Sequence, residues 1–210
     1  MIDIANCLAD SWHRLGFQDA ADMAAATWLT PDELYQYADD AAKLLARTTA
    51  LFLTYDASIG ANVGQSTYAL PAGHVFTESA WLNYGVSTQQ LRPTSAAELW
   101  ALDATWPATN GYTTRISFDA ADVGHAVLYP IPAAGGALLA QVMGVVPPTI
   151  TSAASGLQVP EVVQDYVSMG MVAGARSKES DSAMPEVAAH LAERMKMLDA
   201  VFQSYWGTGR

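Results

Sequence analysis

The sequence predicts an α+β fold, a helical bundle formed by N- and C-terminal helices with an inserted small β-rich subdomain. Three observations point there. A helix-capping signal at Thr30 opens a long apolar stripe, and the same rhythm returns between Met184 and Tyr205. Between residues 65 and 147 the texture changes to short extended runs broken by Gly, Pro, Asn and Asp. The expected organisation is residues 1–64 and 148–210 in the bundle and 65–147 in the insert.

The first long helix is set by Thr30-Pro31-Asp32-Glu33. Threonine caps, proline fits the first helical position, and glutamate three residues after the threonine completes a capping box. Leu34, Ala38, Ala41, Leu45, Thr48, Phe52 and Tyr55 follow in alternating steps of four and three, a stripe made to lie along a partner helix. The pattern predicts a helix over 31–55, ending before Gly60. Residues 1–29 carry no comparable signal.

Within the central region the extended runs are Ser66 to Leu70, Val75 to Tyr84 and Thr113 to Phe118. Thr94-Ser95 ahead of Ala96-Ala97-Glu98-Leu99-Trp100-Ala101-Leu102 predicts one short helix among them. The run His125 to Pro148 is almost wholly apolar, but Pro130, Pro132, Gly135, Gly136, Pro147 and Pro148 break it too often for a membrane-spanning helix. Nor does it carry a GxGxxG or GxxxxGK[ST] phosphate loop. It reads as a hairpin, Ala126 to Tyr129 returning as Ala137 to Val146, that fills a core.

Two helices close the chain. One spans about Pro160 to Arg176, where Val163, Val167, Gly170 and Gly174 make a stripe narrow enough for close backbone approach. The other runs 184–206 along Met184, Ala188, Leu191, Met195, Leu198, Phe202 and Tyr205, with Pro185 in its first turn and Gly207 as its stop.

Composition narrows the function classes. A formal charge of −11 from 21 acidic and 10 basic residues argues against tight wrapping on nucleic acid, whose affinity comes from Lys and Arg neutralising phosphates. The opening MIDIANCLADSWHRL lacks a basic segment before an apolar core, so no secretory leader is expected. The lone Cys7 suits a reducing compartment and reads as a small buried hydrophobe. His13, His74, His125 and His190 stand far apart, outside any HExxH pattern, and Ser66 lacks the glycine of a nucleophile elbow. Asp119 and Asp122 read as a polar loop between strands. The sequence therefore predicts no enzyme: no catalytic residue, no cofactor site, no metal site. Two other readings stand beside this one. The aromatics Trp81, Trp100, Trp106 and Tyr112 could line the sugar groove of a carbohydrate-binding or hydrolytic component, and an enzyme could assemble its site from distant residues.

Taken in order, the pieces are a capped helix, then Tyr68-Ala69-Leu70-Pro71-Ala72-Gly73, then an extended Val75 to Tyr84. Next come Glu98-Leu99-Trp100-Ala101-Leu102-Asp103 ahead of Trp106, the turn Leu128-Tyr129-Pro130-Ile131-Pro132, and two closing helices. This order resembles the head-to-tail adaptor proteins of short-tailed bacteriophages over residues 30 to 206. The resemblance implies a structural virion protein of the tail or neck, assembled in the host cytoplasm. It implies a homo-oligomeric ring, usually of twelve copies, that sits below the portal protein, carries the tail nozzle or tail fibres, and lets DNA pass without specific binding or membrane contact. Phe202, Tyr205, Trp206 and Arg210, at the end of the last amphipathic helix, are the candidate portal interface, because large rings at a helix end anchor interfaces.

Overall fold

The computed structural model describes residues 2–135, 137–157, 160–178 and 185–206. The chain runs β1 (Ile2–Asp3), α1 (Ile4–Leu15), α2 (Ala20–Ala25), α3 (Pro31–Thr48), β2 (Leu53–Ala61), β3 (Thr67–Ala69), β4 (His74–Asn83) and β5 (Thr88–Pro93). It continues with α4 (Ala96–Leu102), β6 (Asn110–Gly111), β7 (Arg115–Ser117), β8 (His125–Tyr129), β9 (Ile131–Pro132), β10 (Ala137–Val145), β11 (Gly156–Leu157), α5 (Gln164–Ser177) and α6 (Pro185–Trp206). These elements form two compact units, one from Met1–Phe52 with Val146–Arg210, the other from Leu53–Val145.

The helical unit is organised around α5. Tyr166, Val167, Ser168, Met169, Gly170, Met171, Val172 and Ala175 are all buried, so this helix is enclosed on nearly every side, as a helix apolar all round must be. α1, α3 and α6 each pack against it. α1 starts with the Asp3 carboxylate accepting the Ala5 N–H and stops at Gly16, whose φ of 94° favours glycine. It turns Ile4, Cys7, Leu8, Ser11 and Leu15 inward, and the Ser11 hydroxyl donates to the Cys7 carbonyl at 2.7 Å.

α3 begins with the expected capping box: Thr30 Oγ1 accepts the Glu33 N–H, and the Glu33 carboxylate accepts the Thr30 N–H at 2.8 Å. Its contact with α5 is unusually close. A Cβ added to Gly170 would lie 2.5 Å from the Ala41 Cβ, and one added to Gly174 would lie 2.4 Å from Tyr37 Cγ. The small stripe read from the sequence is therefore where these two helices meet. α3 stops at Thr48, seven residues short of the predicted end. The Thr48 and Thr49 hydroxyls donate back to the Leu45 carbonyl, and the Thr49 backbone is already extended. Such back-bonding competes with continuation of the helix. Leu53 to Ala61 then forms a strand, so the apparent stripe at Phe52 and Tyr55 was a coincidence of spacing. The chain returning from the β unit is held where the buried Asp39 accepts the Ile150 N–H at 3.1 Å and pairs with Lys43.

The β unit holds a seven-stranded mixed sheet in the order β2-β10-β4-β5-β7-β8-β3, antiparallel except between β5 and β7. Every strand of that sheet sends a side chain to one core: Ala61, Tyr68, Leu82, Leu91, Ile116, Leu128 and Leu139. The outermost strands β2 and β3 are tied by the Asn62 N–H donating to Tyr68 Oη at 3.1 Å. The sheet is thus a nearly closed barrel, which hides its edges. Phe76 lies over Gly144 of the neighbouring strand, where a Cβ would come within 2.3 Å of the ring. Leu53, where the unit begins, pairs with Gly144, next to where it ends.

The architecture corrects the expected fold class. It is not a helical bundle with an inserted small β-rich subdomain but a mixed, nearly closed sheet with its own core, together with six helices among the described residues. Strand β2 lies at 53–61, in a span the sequence analysis had given to helix and to the approach to Gly60. The predicted hairpin is also corrected. β8 pairs with β3 and β7, whereas β10 pairs with β2 and β4. Pro130 and Pro132 cannot donate to a ladder, and β9 between the two runs pairs instead with β6.

α4 is fastened to the barrel by a polar cluster. Ser95 and Glu98 form its capping box. At its end the Asp103 carboxylate accepts the Thr105 and Thr109 hydroxyls, the Thr105 N–H and, at 3.2 Å, the Tyr129 hydroxyl. These donors, the Thr109 hydroxyl first, hold the Asp103 carboxyl down at about 2.

Two outcomes are expected. Gly170→Val should destabilise the helical unit by about 1–3 kcal/mol through overpacking, while Ala200→Val on the exposed side of α6 should leave urea unfolding unchanged. Because the folded Asp103 carboxyl titrates below its ordinary value, its contribution is present above about pH 4 and is lost as pH falls toward about 2. Asp103→Asn should therefore lower the melting temperature at neutral pH and flatten its decline between pH 4 and 2.

Candidate interaction surfaces

The groups best suited to chemistry are occupied by structural work. Cys7 is fully buried, and burial pushes its thiol up to about 11, far from a reactive thiolate. Asp119 accepts the Ser117 hydroxyl at 2.7 Å and the Ala96 N–H at 2.9 Å, and these bonds, the serine hydroxyl first, lower its carboxyl below the usual range. It acts as a clasp on the start of α4. Asp119, Asp122, Thr67 and His125 line one shallow concavity, the nearest approach of the predicted acidic pair to a histidine. His74 stacks on Phe118 with ring centroids 5.8 Å apart, and its Nε2 lies 2.9 Å from Thr77 Oγ1, which donates to the buried Gln141. His13 and His190 are exposed on α1 and α6. Among the described residues no group of three or more His, Cys, Asp or Glu side chains is placed to hold a metal ion. No described helix is long and apolar enough to cross a membrane.

The four aromatics considered for a sugar groove are distributed differently. Trp100, half exposed on α4, meets the buried Trp106 edge-on at 5.8 Å. Tyr112 is 78% exposed and meets Tyr84 at 6.1 Å, while Trp81 is half-buried on β4.

Of the predicted portal residues, Phe202 is 2% exposed and packs against Tyr166 of α5 with ring centroids 6.0 Å apart. It is an anchor inside the helical unit. Tyr205 and Trp206 occupy the last turn of α6, but their side chains lie outside the described residues, as do Met184, Gly207 and Arg210.

The structure adds a surface that the sequence analysis missed. α3 and α6 scarcely touch, so a groove runs between them with α5 as its floor. Tyr37 and Leu44 form one wall, Met195 the other, and Gly170 and Gly174 the floor, with Asp40 at the rim. On the other side of α6, Met197 is 64% and Val201 49% exposed. The available signal was apolar residues off the core stripe: Leu44, Met197 and Val201 do not belong to the four-three series.

Polar groups such as Asp103 and Asp119 fasten elements in place, and apolar side chains such as Met197 and Val201 are left exposed on a helix. No curated protein matches the chain. A sequence model of the SU10 adaptor protein matches residues 16–209, nearly the whole chain, beginning just after α1 and including all of α2. The chain therefore belongs to the SU10 adaptor protein family and is a structural adaptor of a phage virion.

Proposed function

We propose that this protein is the head-to-tail adaptor of its phage, forming a ring of twelve copies below the portal protein. The ring joins the portal to the tail nozzle or tail fibres and lines the channel through which DNA leaves. The observation that carries this reading is the family match over residues 16–209. The surface chemistry agrees with it, since the net charge of −11 repels phosphate and lets duplex DNA pass without capture.

Portal docking belongs to the same reading and uses the end of α6. Phe202 anchors the last turns on Tyr166, and Tyr205, Trp206 and Arg210, which follow it in sequence, are the residues proposed to meet the partner. A rigid helix carrying aromatic anchors loses little freedom on binding.

Electron microscopy of purified particles, with antibody or tag labelling of this chain, should place a ring of it between capsid and tail. A location elsewhere, or a non-ring arrangement, overturns the proposal. Fluorescence anisotropy with duplex DNA at moderate salt should show no saturable binding at micromolar protein. Trp206→Ala and deletion of 207–210 should leave the melting temperature unchanged while reducing co-sedimentation with portal rings. Undiminished binding by both would remove the C-terminal docking site.

A further inference from the structure

We infer that copies of this chain pack head-to-tail through the two flanks of α6, the Met197–Val201 ridge of one copy entering the α3–α6 groove of the next. The inference rests on the ring reading above and names its contact.

The two surfaces lie on different sides of one helix. Leu191 and Phe202 mark the side of α6 packed inside the unit. Ala192, Lys196 and Asp199 turn to the groove. At 100° per residue, Met197 and Val201 stand about 150° around the helix from those groove residues. They carry exposures of 64% and 49% with no described element over them. A protruding apolar pair on one flank and a trough on the other cannot satisfy each other within one chain. Between copies they give a heterologous contact, the type that repeats around a ring.

Shape and charge select a second copy as the occupant. Gly170 and Gly174 line the groove with Ala41 and Tyr37 close against them, and Leu44, 48% exposed, stands on the wall as the apolar group open to a partner. Asp40 stands exposed at the rim. On the ridge, His190 and Arg194 share the face of Met197 and Val201, with Glu193 one turn before Met197, and all three are exposed. Neither Asp40 nor Arg194 belongs to an ion pair among the described residues. Setting Val201 and Met197 in the trough brings Arg194 of one copy toward Asp40 of the next, the charge match that fixes register at an interface.

Cysteine trapping tests this on the full chain assembled on portal rings of the same particle. Cys7 is fully buried, so introduced thiols report alone. Leu44→Cys and Val201→Cys combined in one chain should give, under mild oxidation, a ladder of cross-linked oligomers, while each single variant stays monomeric on a non-reducing gel. Dimers from Val201→Cys alone would mean a two-fold contact and overturn the inference. Rings seen by electron microscopy without cross-links from the combined variant would overturn it while the ring reading stands. Failure of the unmodified chain to form rings on the portal would overturn both. A charge exchange gives an independent check: Arg194→Asp and Asp40→Arg should each weaken assembly about tenfold with melting unchanged, and the two together in one chain should restore it. Weakening by both singles without restoration would count against the pairing.

Discussion

Burial of α5 is the constraint on which the helical unit depends. A helix with Tyr166, Val167, Met169, Met171 and Val172 pointing in nearly every direction must be covered, and α1, α3 and α6 do so. Its two glycines then set how near α3 can come, since the Ala41 and Tyr37 side chains occupy the space their missing Cβ atoms leave. α6 covers the remaining side, with Leu191 and Phe202 buried and Met195 reaching toward Gly170. It leaves Met197 and Val201 exposed, and so has surface to offer elsewhere.

The β unit solves a different problem. Seven strands that close on one another need a filled interior, and small residues at Ala61, Ala80, Ala126 and Ala137 sit among Tyr68, Leu82, Ile116 and Leu139 to fill it. The short motifs that made the sequence resemble phage adaptors turn out to be its fastenings. Glu98 caps α4, Leu99 and Trp106 bury its underside, and Asp103 gathers two threonines and a tyrosine beneath its end. Leu70 packs against the barrel core as its backbone N–H donates to the Gly124 carbonyl. The resemblance was thus carried by residues that hold elements in place, which is what a structural family has to keep.

How much of this was legible varied with the range of the signal. The capping boxes at Thr30 and Ser95 and the glycine stripe at 170 and 174 are local, and their residues say so directly, whereas α5 begins at Gln164, four residues after the expected start near Pro160. Strand pairing is not local. His125–Tyr129 and Ala137–Val145 were readable as extended but not as strands with different partners, because a hairpin and a partner exchange leave the same alternation. Fold class failed for the same reason: nothing in the runs near residues 53–61 and 88–93 announces that they complete a barrel. α1 escaped although Ile4, Cys7, Leu8, Ser11 and Leu15 share one face, since two of those five are not large hydrophobes. Of the candidate portal residues, Phe202 was recognised as important for a reason the structure changes, from surface anchor to internal contact.

The pairing of Leu53 with Gly144 puts the entrance and exit of the β unit on adjacent strands. A segment whose two ends are neighbours can be lost, lengthened or exchanged with only a short gap left to bridge, and closing a short gap asks little of chain entropy. Recombination between phages can therefore swap residues 53–145 as a cassette while the helices of the other unit keep their own packing. Chimeric adaptors joined at this narrow gap are a natural product of where this one strand begins.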